Sequence, residues 1–333
     1  MRPDLGRLLA RYLLLGVGVL LLNFLIPRLL PGNPLSFSGG EGTDAAVPLS
    51  GAARAQLRAY YNLDEPLRLQ FVRYLGDLGR GDLGWSIARP APVREVILDR
   101  LPWTVALLLA ALLFAAVVGT TLGVVAGWMP GGIRDRLLVS TAGALEAIPE
   151  FLIAIGLLLV FAVELGLFPL FGGRTVFADR DFGATGVARH AADVVWHLTL
   201  PAAALVLVNA SGFLLLARDA TVGVRHAPWL TAARAKGLRE RDVARRHAVP
   251  NIALPLLTFF GLRLGAVLGG ALVIERVFGV PGLGLLGYEA IRARDYPVLQ
   301  ALFLVSSVGV LAANLLMEIA YLRLACHRGQ TRG

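Results

Sequence analysis

The sequence contains very little lysine and cysteine. Lys236 is the sole lysine, so the other residues of the Lys and Arg total are all arginine. Cys326 is the sole cysteine. One cysteine excludes a disulfide framework within the chain and any metal site built from several cysteines. The sequence also has no G-x-x-x-x-G-K-[ST] and no H-E-x-x-H segment, which excludes the phosphate-binding loop of an ATPase and the zinc-binding helix of a metalloprotease. We therefore expect that this chain is not an enzyme and holds no catalytic residue, cofactor or metal ion.

Charge is absent from long stretches of the chain. No Asp, Glu, Lys, Arg or His occurs from Leu101 to Ile133, and a bilayer-spanning helix needs about 20 mostly apolar residues. Hydrophobic residues make up 56% of the sequence, above the roughly 45–50% of soluble domains. The apolar blocks do not alternate with polar residues as barrel strands do. The sequence predicts one all-α, polytopic membrane domain over 1–333 with six transmembrane helices: Leu8–Leu30, Pro102–Met129, Leu137–Val163, Val195–Ala217, Pro250–Ile274 and Pro297–Leu322.

The basic residues are distributed unevenly among the connecting segments. Segment 218–249, here called the basic loop, has eight basic and three acidic residues, and arginines without an acidic excess flank the first and last spans. Short cytoplasmic loops carry such an excess, so both termini and the basic loop are placed in the cytoplasm. We expect a multi-pass protein of the bacterial cytoplasmic membrane, with Pro31–Leu101 as an extracytoplasmic segment. The net charge of +9 then reflects topology and contact with lipid headgroups, and no nucleic acid partner is expected.

The basic loop has the pattern of two helices joined by a turn. Pro228 precedes the segment, Pro250 follows it, and Gly237 interrupts a run of good helix formers, so we expect a helix–turn–helix with Gly237 at the turn. Small residues such as Ala232 and Ala233 would give it a smooth face for close packing. The alternative is a loop selected only for charge, in contact with lipid headgroups.

The same loop resembles the EAA loop of permease subunits of bacterial ABC importers. Thr231-Ala232-Ala233, three residues, Gly237, nine residues and then His247-Ala248-Val249-Pro250 follow its spacing. Within this loop, two strings are similar to the peptide/nickel branch of the family: ARAKGL and HAVPN. Three strings elsewhere in the chain are similar to the same branch: RLLPGNP, LDEPLRLQFVRYLGDLGRGDLGWSI and ERVFGVPGLGLLGYEAIRARDYPVLQA. The sequence departs from the general motif at Thr231, where Glu is usual, and at His247, where Ile is usual.

The resemblance implies the type I ABC importer permease fold and a set of partners. Such a permease pairs with a second, similar permease as a heterodimer, with two cytosolic ATPase subunits that bind ATP and Mg²⁺, and with an extracytoplasmic substrate-binding protein. The EAA loop docks into the ATPase and transmits its closure to the membrane. The residues that the resemblance assigns to ATPase coupling are Thr231, Ala232, Ala233, Arg234, Lys236, Gly237, Arg239, His247 and Pro250.

Three charged residues fall inside the predicted spans: Glu146, Glu150 and Arg263. Such charges are costly in lipid and by default indicate a pathway or a pair. Glu150 and Arg263 each lie 13 residues beyond the expected cytoplasmic start of their span, so we expect these two to neutralise one another, the alternative being that each lines a water-filled cavity. Glu146, one turn before Glu150 on the same helix face, is a candidate to attract a cationic group in transit.

Two other motifs carry little weight. Gly282-Leu-Gly284-Leu-Leu-Gly287 matches G-x-G-x-x-G, but the dinucleotide fingerprint requires a surrounding βαβ unit, and we expect turns instead. His190 and His197 could meet on one helix face, yet two histidines alone are a weak indication of a metal site.

The sequence favours a permease subunit for di- or oligopeptides over three alternatives. A nickel or glutathione importer permease belongs to the same family. An ion-coupled secondary transporter would tend to show two inverted halves, and no internal repeat is apparent. A membrane scaffold or receptor would carry no solute.

Overall fold

The computed structural model describes residues 5–29, 65–175, 184–293 and 295–329. Helices occupy most of these ranges, and the one β-type pairing within them is an isolated bridge between Trp85 and Pro92. Much of the predicted extracytoplasmic segment, from residue 31 to 64, lies outside the described residues. The helices are α1 Leu5–Leu29, α2 Leu67–Gly79, α3 Val93–Trp128, α4 Ile133–Ala147, α5 Glu150–Leu157 with its π-helical extension Leu158–Glu164, α6 Ala184–Val224, α7 Pro228–Ala235, α8 Glu240–Asp242 with the π-helical Val243–Ala248, α9 Val249–Phe278, α10 Leu283–Ala293 and α11 Tyr296–Gly329.

Several of these helices are long and apolar enough to cross a membrane. Within the described ranges there are four such helices, and a fifth span results if the bent pair α4–α5 counts as one. A shorter apolar helix covers Ala10–Leu25. The expectation of a multi-pass, all-helical membrane protein is therefore confirmed, whereas the count of six spans stays a prediction. The full-length spans are within Val93–Trp128, Gly186–Val224, Glu240–Gly265 and Tyr296–Ile319.

The predicted span Leu137–Val163 is not one continuous helix, because the chain breaks in its middle. Helix α4 ends at Ala147, Ile148 and Pro149 have extended backbone angles, and α5 leaves at 101° to α4. Proline lacks the amide hydrogen that a helix interior needs and pushes the preceding residue out of the helical region. Pro149 thus ends one helix and begins another rather than bending a single one.

The chain divides into two compact units. One consists of Arg100–Tyr288 with Gly309–Gly333, and the other of Arg2–Asp99 with Glu289–Val308. In the first unit, one core cluster includes Leu107, Leu205 and Phe278, and a second surrounds Phe213 and Ile252.

A stripe of glycines brings α3 and α6 into backbone contact. Gly119, Gly123 and Gly127 are spaced four residues apart on one face of α3. A Cβ atom added to them would lie 2.6 Å from Phe213 Cβ, 2.7 Å from Ala217 Cβ and 2.8 Å from Thr221 Cβ respectively. Close approach through small residues is the usual way in which membrane helices associate.

A buried carboxylate joins α3, α9 and α10 in the same unit. The Glu275 side chain is fully buried; its Oε1 accepts a hydrogen bond from Thr104 Oγ1 at 2.6 Å and its Oε2 accepts one from the Leu285 amide at 3.0 Å. Gly282 leaves room for this carboxylate, since an added Cβ would overlap it. Packing therefore explains Gly282 and also Gly284, whose added Cβ would lie 2.4 Å from Leu272 Cα. The expectation of turns was wrong for Gly284 and Gly287, which lie within helix α10.

The second unit has its own polar anchor. Asp295 is buried and accepts hydrogen bonds from the Ser86 hydroxyl and, at 3.1 Å, from the Ala88 amide. Arg89 forms an ion pair with Glu289. These contacts hold the segment before α3 against Glu289 of α10 and against Asp295, the residue before α11.

Candidate functional site

The basic loop folds as the sequence predicts, into helices joined by a turn at Gly237. Helix α7, here called the loop helix, is followed by Lys236 and Gly237, and the Gly237 amide donates a hydrogen bond to the Arg234 carbonyl at 2.9 Å. Gly237 has a φ of 79°, in the left-handed region that only glycine enters at little cost. The chain then re-enters helix at Glu240 and runs into α9.

One face of the loop helix is buried against the rest of the chain. Leu230 and Ala233 pack with Val243 and Ala248, and Trp128 and Val224 border the cluster. Leu230, Val243 and Ala248 have no exposed surface and Ala233 is 5% exposed. The methyl group of Ala233 therefore contacts the chain's own core and is not presented to a partner in this conformation.

A ring of polar contacts ties the loop helix to the ends of two long helices. Arg234 Nε donates to Glu240 Oε1 at 2.8 Å, and Arg234 Nη1 donates to the carbonyl oxygen of Arg225 at 3.1 Å. Trp128 Nε1 donates to Glu240 Oε2 at 3.0 Å, and the Arg234 guanidinium lies 5.6 Å from the centre of the Trp128 ring. Arg234 thus donates hydrogen bonds within the chain, to Glu240 of α8 and to the carbonyl just after α6, and lies against Trp128 at the end of α3.

The opposite face of the loop helix is exposed. Its small residues Thr231 and Ala232 are open, with Lys236, Gly237 and Arg239 exposed after them. Two apolar side chains flank this surface, Trp229 at 44% exposure and Leu238 at 38%. His247 is partly buried in the π-helical segment before α9, and Pro250 occupies the first turn of α9.

Sequence reasoning missed several members of this site. Trp128 and Glu240 were not expected to contact Arg234, and Trp229 and Leu238 were not assigned to the exposed surface. The signal for the apolar pair was present, since both side chains sit beside the small-residue run. The sequence gives no such signal for Trp128, because this residue belongs to a different helix, α3.

A second ion pair lies at the same end of α6. Arg218 Nε and Nη2 donate to the two carboxylate oxygens of Asp135, at 3.0 and 2.9 Å. Asp135 Oδ2 also accepts a hydrogen bond from the Gly131 amide at 2.7 Å. The Asp135 side chain is only 4% exposed, so this bidentate contact joins the start of α4 to α6 inside the protein.

The charges within the predicted spans are paired differently from the expectation. Arg263 Nη2 lies 3.7 Å from Glu146 Oε1, so the partner in the ion pair is Glu146 and the expected pairing with Glu150 was wrong. The break at Pro149 also removes Glu146 and Glu150 from a common helix face. Among the described residues, none offers a hydrogen bond to the buried Glu150 Oε1.

Gly212 makes room for this ion pair. An added Cβ would lie 3.0 Å from Arg263 Nη2 and 3.1 Å from Glu146 Oε1. The Arg263 guanidinium also lies 5.0 Å from the centre of the Phe259 ring. Arg263 and Glu146 remain 32% and 38% exposed in this chain.

The contacts of His197, one of the two histidines singled out in the sequence, lie within the chain. His197 Nδ1 lies 2.8 Å from the Asp193 carbonyl oxygen on the preceding turn of α6, and Asp193 in turn accepts hydrogen bonds from Thr175. In the ranges that the structure covers, no three His, Cys, Asp or Glu side chains are grouped to hold a metal ion.

Comparison with known proteins gives one family. Residues 119–326 match the family described as binding-protein-dependent transport system inner membrane component. The chain is 33% identical over 306 residues to the oligopeptide transport system permease protein AppB of Bacillus subtilis, with 92% of each chain covered. It is 33% identical over 303 residues to the glutathione transport system permease protein GsiC of Pectobacterium atrosepticum, covering 91% of each. It is 33% identical over 315 residues to the dipeptide transport system permease protein DppB of Alkalihalophilus pseudofirmus, covering 92% of each.

Proposed function

Because the chain belongs to the binding-protein-dependent transport system inner membrane component family, we propose that it is a permease subunit of an ATP-driven ABC importer for di- or oligopeptides. The observation that carries this proposal is the loop helix, which presents an exposed small-residue surface while its other face is fixed to the chain's own core. Two relatives named for oligopeptide and dipeptide transport match over more than nine-tenths of the chain.

The proposed assembly contains a second permease as heterodimer partner, two ATPase subunits and an extracytoplasmic substrate-binding protein. ATP and Mg²⁺ bind to the ATPase subunits, and this permease supplies half of the translocation pathway. Five exposed residues of the loop are open to the ATPase: Thr231, Ala232, Lys236, Gly237 and Arg239. The coupling roles of the remaining loop residues are internal ones: Ala233 and Arg234 hold the loop helix, and His247 and Pro250 lie where the loop passes into α9.

The pathway assignment follows from the charges within the spans. Glu146 and Arg263 are each about one-third exposed in this chain, and charges of this kind do not face lipid. We assign these two residues and Glu150 to the surface that faces the partner permease and the water-filled pathway. In this arrangement Arg263 neutralises Glu146, so Glu146 itself would offer little net charge to a cationic cargo group.

The topology has six spans with both termini in the cytoplasm, and Lys236 provides a direct test. As the sole lysine and an exposed residue, it is the single site at which a lysine-specific protease can cut. Inside-out vesicles should give two fragments on such treatment and right-side-out vesicles none. Cleavage in right-side-out vesicles would show that Lys236 lies on the extracytoplasmic side and that the proposed orientation is reversed.

Glutathione is the second candidate cargo, because relatives named as glutathione permeases match with the same identity. Glutathione is itself a small peptide, so the two proposals share a pathway and differ in the binding protein. Calorimetric titration of the cognate binding protein with glutathione and with a dipeptide separates them.

The function is tested by reconstituting the permease in liposomes with its partner permease, ATPases and binding protein. Uptake of a labelled dipeptide should require ATP and persist without an ion gradient. Ala232→Trp, which adds bulk to the exposed face of the loop helix, should prevent co-purification of the ATPases. Arg245→Trp places the same indole at an exposed position outside the loop helix and should not. Uptake that depends on an ion gradient and not on ATP contradicts the proposal.

A further inference from the structure

The loop helix is connected to α3 as well as to its neighbours in sequence. Trp128, the last residue of α3, donates its indole N–H to Glu240, and Glu240 accepts the Arg234 guanidinium on the loop helix. We propose that Trp128, Arg234 and Glu240 form a latch through which ATP-driven movement of the loop helix is passed into α3. This inference rests on the proposed function and adds a route for the force.

The latch links three elements through shared atoms. Glu240 receives donors from both other members, Arg234 at 2.8 Å and Trp128 at 3.0 Å. The guanidinium also lies against the indole ring, at 5.6 Å from its centre, a favourable arrangement for a cation and an aromatic face. Displacement of the loop helix would therefore move the end of α3 unless all three contacts broke.

The strength of the latch comes from the network and from the cluster beneath it. Arg234 and Glu240 are 33% and 57% exposed, and an isolated exposed ion pair contributes little. The fully buried Leu230 and Val243 pack directly below, with Trp128 at the border of the same cluster. Because Trp128 belongs to both the polar contacts and the apolar cluster, it is the residue at which movement enters α3.

From Trp128 the movement has a rigid path into the membrane. Gly127 and Gly123, on the last turns of α3, have no side chains between them and α6, and an added Cβ would come within 2.7–2.8 Å of Ala217 and Thr221 Cβ atoms. A helix pair in backbone contact has no soft layer of side chains that could absorb displacement. We therefore expect α3 and α6 to shift together when the latch is pulled.

The latch is tested by the ratio of ATP hydrolysed to peptide imported in the complete reconstituted complex. Glu240→Ala should raise this ratio about 5-fold or more, the lower end of typical coupling between sites, while the ATPases still co-purify. Trp128→Phe keeps an aromatic ring, although a smaller one, and removes the indole donor, so it should raise the ratio in the same direction if Glu240→Ala does not fold. Arg234→Glu combined with Glu240→Arg restores the ion pair and should recover part of the loss.

Asp242→Ala is the matched control. This acid lies two residues from Glu240 and has only a 3.8 Å contact with Arg246, so its removal should leave the ratio unchanged. The latch is refuted if Glu240→Ala imports peptide at the wild-type ratio, or if it releases the ATPases, since Glu240 would then belong to the docking surface. If the wild-type complex neither binds the ATPases nor imports peptide, the proposed function fails, and the latch fails with it.

Discussion

The glycine stripe on α3 makes a quantitative prediction at Gly123. A Cβ added there would lie 2.7 Å from Ala217 Cβ and closer still to the Leu214 carbonyl oxygen. Ordinary van der Waals contact begins at 3.4 Å, so the shortfall at Ala217 is 3.4 − 2.7 = 0.7 Å. Neither neighbour can rotate away, because one atom is part of the backbone and the other is bonded directly to it. In Gly123→Ala the two helices must therefore separate.

Such overpacking of a well-packed contact costs about 1–3 kcal/mol. The separation also loosens the contacts at Gly119 and Gly127, which lie one turn away on the same face. In globular domains of about 150–250 residues a loss of 1 kcal/mol lowers the melting temperature by about 2–4 °C. We expect Gly123→Ala to lower the melting temperature of the detergent-solubilised protein by at least that amount.

Gly143→Ala is the control for this measurement. Gly143 lies within helix α4, and a Cβ added there meets no atom within 4 Å. Alanine is the better helix former by about 1 kcal/mol, so the control should melt at the wild-type temperature or above it. Equal melting temperatures for Gly123→Ala and Gly143→Ala would show that α3 and α6 are not held in contact by the stripe.

Three further predictions concern single contacts. Asp135→Asn removes the buried anion of the Arg218 guanidinium, which keeps only its contact with the exposed Asp219, and should lower the melting temperature. Because Arg218 is 27% exposed and Asp219 remains, the loss should fall below the roughly 3–5 kcal/mol of a fully buried pair. No change in melting temperature would show the contact with Asp135 to be dispensable. Gly237→Ala forces alanine into a left-handed conformation, at a cost of about 1–2 kcal/mol. Because this loosens the turn, a lysine-specific protease should cut at Lys236 faster than in the wild type. An unchanged cleavage rate would mean that the turn tolerates a side chain. Arg263→Leu leaves Glu146 without its ion-pair partner and should reduce the amount of protein in the membrane. A second substitution, Glu146→Gln, should restore that amount. If the two substitutions instead lower the amount additively, the ion pair is contradicted.

The sequence predicts the parts of this fold that depend on local composition. The charge-free run beginning at Leu101 corresponds to α3, and the break in helix-forming residues at Gly237 corresponds to the turn with positive φ. Both follow from properties of consecutive residues. The break at Pro149 does not follow from the sequence in the same way, since a proline alone does not determine whether a helix bends or ends.

Contacts between distant segments could not be predicted in the same way. Arg263 could reach an acid on α4 or α5, and the choice of Glu146 depends on the angle at Pro149 and on the space left by Gly212. The glycine stripe on α3 was visible as a repeat of four residues, a known signature of helix contact. Its partner helix was not, because the α6 residues that it meets, Phe213, Ala217 and Thr221, share the four-residue spacing but are not a run of one small residue type.

The two faces of the loop helix also show what sequence alone leaves open. Ala232 and Ala233 are equivalent in composition, yet one is exposed and the other is buried beneath Val243 and Ala248. A helix of eight residues is too short to be stable by itself in water. Its rigidity must therefore come from the buried face and from the contacts of Arg234. The loop helix can act as a stiff lever only because half of its small-residue run is used within the chain, which leaves the other half for a partner.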